Sequence, residues 1–315
     1  MPVTLALQPV VTPRSLSIAV RLPLWRRLHA IADATRLQLQ TLWRTVVLDF
    51  RRGLSRRRLR AALTSPILFD VEMLWRAQWE RTVDRPVRQL LPVLVSEALT
   101  AGAQATMPEV ARMADDEESE YVPGLPDTQQ AIDGYVGEQV RLLWGTTLLA
   151  LRQARQYSRA AEMSETVTAQ WLQVVAGLTP RQVQTIERQR ERLQAAGQTQ
   201  AQIIPQLARQ ATVALQQRVQ GIAASQSMTS VNLGTQDALE QTVRRGLLRA
   251  AVVRRYWIVT PDERLCARCL AVASTNATGV GLYEPFQSSE GALMGPPLHA
   301  WCRCVVSVGR EVTHA

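Results

Sequence analysis

All four cysteines of this 315-residue chain fall in two short stretches near its C-terminal end. Cys266 and Cys269 form a C-x-x-C pair in PDERLCARC, and thirty residues after Cys269 the segment GPPLHAWCRC supplies His299, Cys302 and Cys304. Two clusters of thiol and imidazole separated by a loop have the spacing of a tetrahedral metal site. A C-x-x-C turn can present two thiolates to one ion, and on a strand Cys302 and Cys304 would face the same side because side chains alternate. Five donors compete for four positions. Cys266, Cys269 and Cys302 are common to the simplest arrangements, and the fourth is His299 or Cys304.

Other chemistries lack parts. Disulfides need an oxidising compartment, whereas a cytosolic origin would keep the thiols reduced. A redox C-x-x-C belongs at a helix start in a thioredoxin-like βαβ unit, and no such context surrounds Cys266. A zinc deaminase requires H-x-E together with P-C-x-x-C, and PPLHAWCRC has neither. An HNH-type nuclease needs a catalytic His and a metal-binding His or Asn beyond its zinc knuckles, and the other histidines, His29 and His314, are remote in sequence. A structural Zn²⁺ is therefore expected, closing a module too small and too rich in Gly and Pro to hold itself by core burial. No catalytic residue is expected.

The elements that must position this cluster are mostly helical. Leu24, Leu28, Ile31, Ala32, Thr35, Leu39, Leu42, Val46 and Phe50 recur at three- and four-residue steps, which places them on one helix face. RRGLSRRRLR follows, with Gly53 set to break or end the helix. Its six arginines, Arg51, Arg52, Arg56, Arg57, Arg58 and Arg60, are candidates for contact with nucleic acid or a partner, against the plainer reading of a solvated face. Trp25, Trp43, Trp75 and Trp79 fall on or near apolar faces and read as core or interface rather than base-stacking platforms. Pro86 and Pro92 stand where a helix would start or kink. Beyond, Gly177 stops one helix, and Thr179-Pro180-Arg181-Gln182 restarts another with a capping box and proline at the first position. That helix runs to a C-cap at Gly197. The next is expected in two or more pieces because of Pro205, Gly221 and Gly234. VVRRYWIVT reads as a strand, with further short strands at GLYEPF and CRCVVSV.

Five blocks result: an N-terminal helical region (1–113), an acidic Pro/Gly linker (114–130), a helical domain (131–250), a Cys/His zinc-knuckle module with short strands (251–309) and a tail (310–315). The fold class is mainly α, a long helical body with a small C-terminal α+β zinc-ribbon-like module.

Charge separates the same regions. The formal net charge is +9, and all 36 basic residues are arginine. Residues 1–112 carry 17 arginines against eight acids, and residues 113–130 carry six acids and no base. Such asymmetry suggests an anionic partner for the basic parts. The most apolar segment, Leu142–Leu151, lies between Arg141 and Arg152 and is too short to span a bilayer. The N-terminus has no basic stretch ahead of its apolar residues, so the chain is expected to be soluble and not exported.

The order of these features resembles the C-terminal domain of phage head morphogenesis proteins, the Mu F-like minor head proteins. It is carried by Ile222-Ala223-Ala224-Ser225-Gln226, with Asn232 and Gly234 following, then a Trp-bearing strand. Asp262-Glu263-Arg264-Leu265-Cys266-Ala267-Arg268-Cys269 and Pro296-Pro297-Leu298-His299-Ala300-Trp301-Cys302-Arg303-Cys304 complete it. The resemblance covers roughly Leu178 to Val308. Where the family commonly has an acidic Thr-Glu, this chain has Ser225-Gln226.

The resemblance implies a minor capsid component without enzyme activity in this domain. It would sit in the virion near the portal vertex after assembly in the host cytoplasm, with a portal protein and a major capsid or scaffold protein as partners. Packaged or ejected double-stranded DNA is a further, sequence-independent partner. The alternative is a zinc-containing nucleic-acid-binding or processing protein whose metal module touches DNA directly.

Overall fold

A computed structural model describes residues 18–64, 70–114, 121–123, 125–259, 266–299 and 301–310. The acidic core of the expected linker (115–120), Gly124, the Asp262–Leu265 part of the cysteine motif, Ala300 and the tail beyond Arg310 lie outside the described residues. The chain is mainly helical and ends in a small α+β module. Its helices are α1 (Ile18–Gly53), α2 (Arg56–Thr64), α3 (Asp70–Trp79), α4 (Arg85–Ala114), α5 (Pro126–Ala160), α6 (Glu165–Val175), α7 (Pro180–Ala195), α8 (Gln200–Arg244) and α9 (Ala267–Thr275). The strands are β1 (Val253–Ile258), β2 (Phe286–Ser288), β3 (Gly291–Leu293) and β4 (Val305–Arg310).

Several local expectations hold. α1 buries Leu24, Leu28, Ala32, Thr35, Leu39, Leu42, Val46 and Phe50 and ends at Gly53. Thr179 Oγ1 accepts from the Gln182 N–H while Gln182 Oε1 accepts from the Thr179 N–H, so both halves of the capping box form. Gly177 and Gly197 take the left-handed conformation just past α6 and α7.

Others are corrected. α8 is one helix of 45 residues, not two or more pieces. Pro205 lies near its start, where few ladder bonds are at stake, and Gly234 is a packing position. A Cβ on Gly234 would lie 2.0 Å from the Leu99 carbonyl oxygen, and one on Gly102 would lie 2.6 Å from that of Val231. The two glycines let α8 and α4 approach backbone to backbone. A π-helical turn (Glu80–Asp84) joins α3 to α4 just before Pro86, whose missing N–H cannot bond to the Thr82 carbonyl. Pro92 lies inside α4. In the module only Phe286 of GLYEPF is in a strand, and Cys302–Cys304 precede β4 in an irregular turn. There the Cys302 N–H bonds to the His299 carbonyl (3.1 Å) and Trp301 has φ 67°.

The chain forms two compact units, each drawing on separated segments. One comprises 35–96 and 124–226. Its core holds Trp43, Trp75 and Trp79, as expected of apolar faces, and also Trp171, with Phe50 edge-on to Trp79 (5.5 Å), whereas Trp25 of the other unit is only partly buried. Gln226 is buried there, accepting a hydrogen bond from the Trp43 indole (2.6 Å).

The other unit comprises 1–34, 97–123 and 227–315. β1 and β4 pair antiparallel from Val253 against Arg310 to Ile258 against Val305, and β2 and β3 form a hairpin. One core cluster joins Leu24, Leu28 and Ala32 of α1 with Ala98 of α4, Met228 and Val231 of α8, and Val305 of β4. A second surrounds the cysteines with Trp257, Val272, Val280, Phe286 and Val306.

Candidate metal centre

Cys266 is the N-cap residue of α9 and Cys269 lies in its first turn, so a helix start holds the C-x-x-C pair. The N–H groups of Cys269 and Arg268 point at the Cys266 sulfur and lower its pKa, as the unpaired donors of a helix N-terminus do for an anion. The flanking strands β1 and β4 run antiparallel, so this helix start is not part of a βαβ unit.

The second cluster is fixed from several directions. On α8, Asn232 lies over the backbone around Cys304: its Oδ1 accepts from the Val306 N–H (2.8 Å) and its Nδ2 donates to the Cys304 carbonyl (3.3 Å). On α1, His29 Nε2 donates to the Arg303 carbonyl between the two cysteines (2.8 Å). From α9, the Asn276 side chain accepts from the Gln287 N–H (3.0 Å) and donates to the Gln287 carbonyl (2.9 Å), fixing β2 to the helix end.

Arg255 of β1 organises the loops between. Fully buried, its guanidinium donates to the carbonyls of Gly281 (3.2 Å), Met294 (2.7 Å) and Glu284 and to Gln236 Oε1 on α8 (3.0 Å), and it lies over the Phe286 ring. Burial pushes its pKa down to about 10, so it stays charged at neutral pH.

These anchors bring all five predicted donors together as two overlapping triplets. Cys266, Cys269 and His299 form one, Cys269, Cys302 and Cys304 the other, each with donor atoms within 4.8 Å of one another. Cys269 is common to both. The four thiols are free, so the cluster is not a disulfide pair.

The dimensions fit an ion. Metal–sulfur bonds of about 2.3 Å and metal–nitrogen bonds of about 2.0 Å give tetrahedral edges of about 3.8 Å between sulfurs and about 3.5 Å between sulfur and nitrogen. Here Cys269 Sγ is 3.7 Å from Cys302 Sγ and 3.2 Å from His299 Nε2. These five residues could hold a metal ion.

The electrostatics of the cluster push the pKa values of its thiols apart, with Cys266 and Cys302 lowered and Cys269 and Cys304 raised. A hydrogen bond from the Cys304 thiol brings the Cys302 pKa down to about 5. Burial, and then the Cys302 charge, push Cys269 up to about 12. Cys304 is raised because it donates to Cys302 and is buried. A divalent cation would reverse the penalty on a second thiolate. The buried Trp257 indole N–H lies beside Cys304 and acts to lower its pKa, against the larger raising effects of the Cys302 hydrogen bond and burial.

The arginine run is divided. The Arg51 guanidinium donates to the carbonyls of Gln173 (3.1 Å) and Val174 (3.0 Å) in the last turn of α6, a cation at the negative end of a helix, and burial lowers its pKa. Arg52 pairs with Asp49 (3.5 Å) and Arg56 bonds to the Gln173 side chain (3.1 Å). Arg57, Arg58 and Arg60 are exposed on α2.

Sequence reasoning named Asn232 only as a motif residue, set His29 aside as remote and assigned no role to Arg255 or Gln236. A signal was present for two of them: a polar residue on the apolar stripe of a helix, and an arginine at an inward position of a strand. Comparison with protein-family models, with curated proteins and with solved structures finds no match to this chain.

Proposed function

We propose that this chain is a structural minor head protein of a tailed phage or prophage, in which a zinc ion held by Cys266, Cys269, His299 and Cys302 closes the C-terminal module. The convergence of donors from two separated motifs carries this reading. Five donors for four positions leave no site open to water or substrate, which suits a structural ion rather than a catalytic one. Cys304 is buried and donates to Cys302, which suits a supporting thiol next to the coordination sphere. When bound, the ion supplies a cross-link between the start of α9 and the turn before β4.

The ordered motifs around Asn232, the C-x-x-C pair and the P-P-x-H-x-x-C-R-C segment support a role in head morphogenesis, with portal, capsid or scaffold proteins as partners. Within the module, Arg255 is buried, Arg268 pairs with Glu290 and Arg254 lies 4.0 Å from Glu284. These engaged cations favour a protein-facing module over direct DNA contact through the metal site.

Metal analysis of protein purified without added metal, and co-expression with the portal protein of the same genome, test the two halves separately. About one zinc per chain with portal co-purification supports both. Less than about half an equivalent, with thiols intact, would count against the ion, and full zinc without portal association would count against the head role.

A further inference from the structure

The charges of α7 are sorted by face. Toward α5, Glu187 accepts from Gln153 (3.2 Å), Arg190 lies over the Tyr157 ring, and Glu191 is beside Tyr157. Toward α8, Arg181, Arg188 and Arg192 follow one another at steps of seven and four residues along one face. With Gln189 of α7 and Gln210 and Gln217 of α8 they line a groove of about 760 Å³. Among the described residues no carboxylate lines this groove. Among the described residues the three arginines form no ion pair, and the one hydrogen bond from their guanidinium groups runs from Arg188 to the Gln184 carbonyl within α7 (3.4 Å).

We propose that the α7–α8 groove binds the phosphate backbone of duplex DNA without reading its sequence. At 1.5 Å per residue the arginines are spaced by about 10 Å and about 6 Å, a span of about 16 Å along the helix. A lone phosphate meets one or two of them, whereas a duplex presents a phosphate every 3.4 Å of axis on each strand and can engage all three. The planar guanidinium fork suits phosphate oxygens, and the glutamine carboxamides add neutral donors. Among the described residues no aromatic side chain lines the groove, so they offer neither a platform for stacked bases nor an aromatic pocket for a protein anchor. The groove belongs to the unit of residues 35–96 and 124–226 and the metal donors to the other unit, so its failure would leave the zinc and portal tests unaffected.

The test is fluorescence polarisation of a random-sequence 25-base-pair duplex with the full, metal-loaded chain over a salt series. Three phosphate contacts contribute a log–log salt slope of about 2.7, at about 0.9 per contact. Arg181→Gln/Arg188→Gln/Arg192→Gln should reduce the slope by about that amount and weaken binding at least tenfold at moderate salt. Arg57→Gln/Arg58→Gln/Arg60→Gln removes the same net charge from α2 and should change the slope by less than about one. Circular dichroism checks that both variants are folded. Equal losses in the two variants, no loss in the groove variant, or no binding by the unmodified chain would each overturn the proposal. So would groove-dependent binding of poly-glutamate as tight as that of the duplex, which would assign the groove to an acidic protein.

Discussion

Removing the Asn232 side chain should weaken metal binding although that residue touches no metal. Asn232→Ala leaves two buried backbone groups unpartnered, the Val306 N–H and the Cys304 carbonyl, which Asn232 meets at 2.8 and 3.3 Å. Each orphaned buried group costs about 1–3 kcal/mol. Without metal, the Cys302–Cys304 turn can relax and hydrate both groups. With metal bound the turn is held in place and the penalty falls on the bound state. A net cost of about 3 kcal/mol corresponds to roughly a hundredfold loss of affinity, at 1.4 kcal/mol per factor of ten. Asn232→Asp keeps an acceptor for Val306 and loses the donor to Cys304, so about a tenfold loss is expected. Competition titration against a chromophoric zinc chelator measures both. Thr106→Val removes a buried hydroxyl pair with Thr235 (3.0 Å) away from the cluster, and should lower stability by about 1 kcal/mol without changing metal affinity. If Asn232→Ala stays folded and binds zinc within about threefold of the unmodified chain, Asn232 does not preorganise the turn and the reasoning fails.

His299→Ala should lose the zinc while Cys304→Ser keeps close to one equivalent by metal analysis, and the reverse result would place Cys304 in the coordination sphere. Metal binding near pH 7 should release roughly one to two protons, fewer than the three thiols of the site, because Cys302 is already a thiolate with its pKa down to about 5 while Cys269 is protonated up to about 12. Affinity therefore rises with pH and falls as protons compete on acidification, a trend that calorimetry in buffers of different ionisation enthalpy can read. Gly234→Ala should destabilise by about 3 kcal/mol or more in urea unfolding, since its methyl meets the α4 backbone. Gly134→Ala in α5 has open space around it and should stabilise by about 0.5–1 kcal/mol.

Local signals were the legible ones. The helix face from Leu24 to Phe50, the capping box at Thr179 and the strand Val253–Ile258 depend on neighbouring residues, whose spacing is visible along the chain. The metal donors were legible for a related reason, because thiol and imidazole in paired clusters have few uses. The continuity of α8 was not, since Gly234 looks like a helix breaker until the α4 backbone is placed against it. Arg51 likewise reads as part of a charge run, and only the end of α6 shows it capping carbonyls at Gln173 and Val174. The roles of Asn232 and His29 depend on contacts across 72 to 274 residues of sequence, and no periodicity reports those.

The cluster that joins Leu24 and Leu28 to Val305 also sets an order of events during synthesis. Helix α1 leaves the ribosome some 280 residues before β4, a delay of roughly 15–55 s at 5–20 residues per second. For that interval the apolar face of α1 around Leu24 and Leu28 lacks its β4 partner, and the thiols that would take the ion have yet to emerge. This unit is completed only once β4 has been made, so a chain cut before Cys302 would expose that face and lack the metal donors Cys302 and Cys304. Only a polypeptide that includes β4 could present the closed module to an assembling partner.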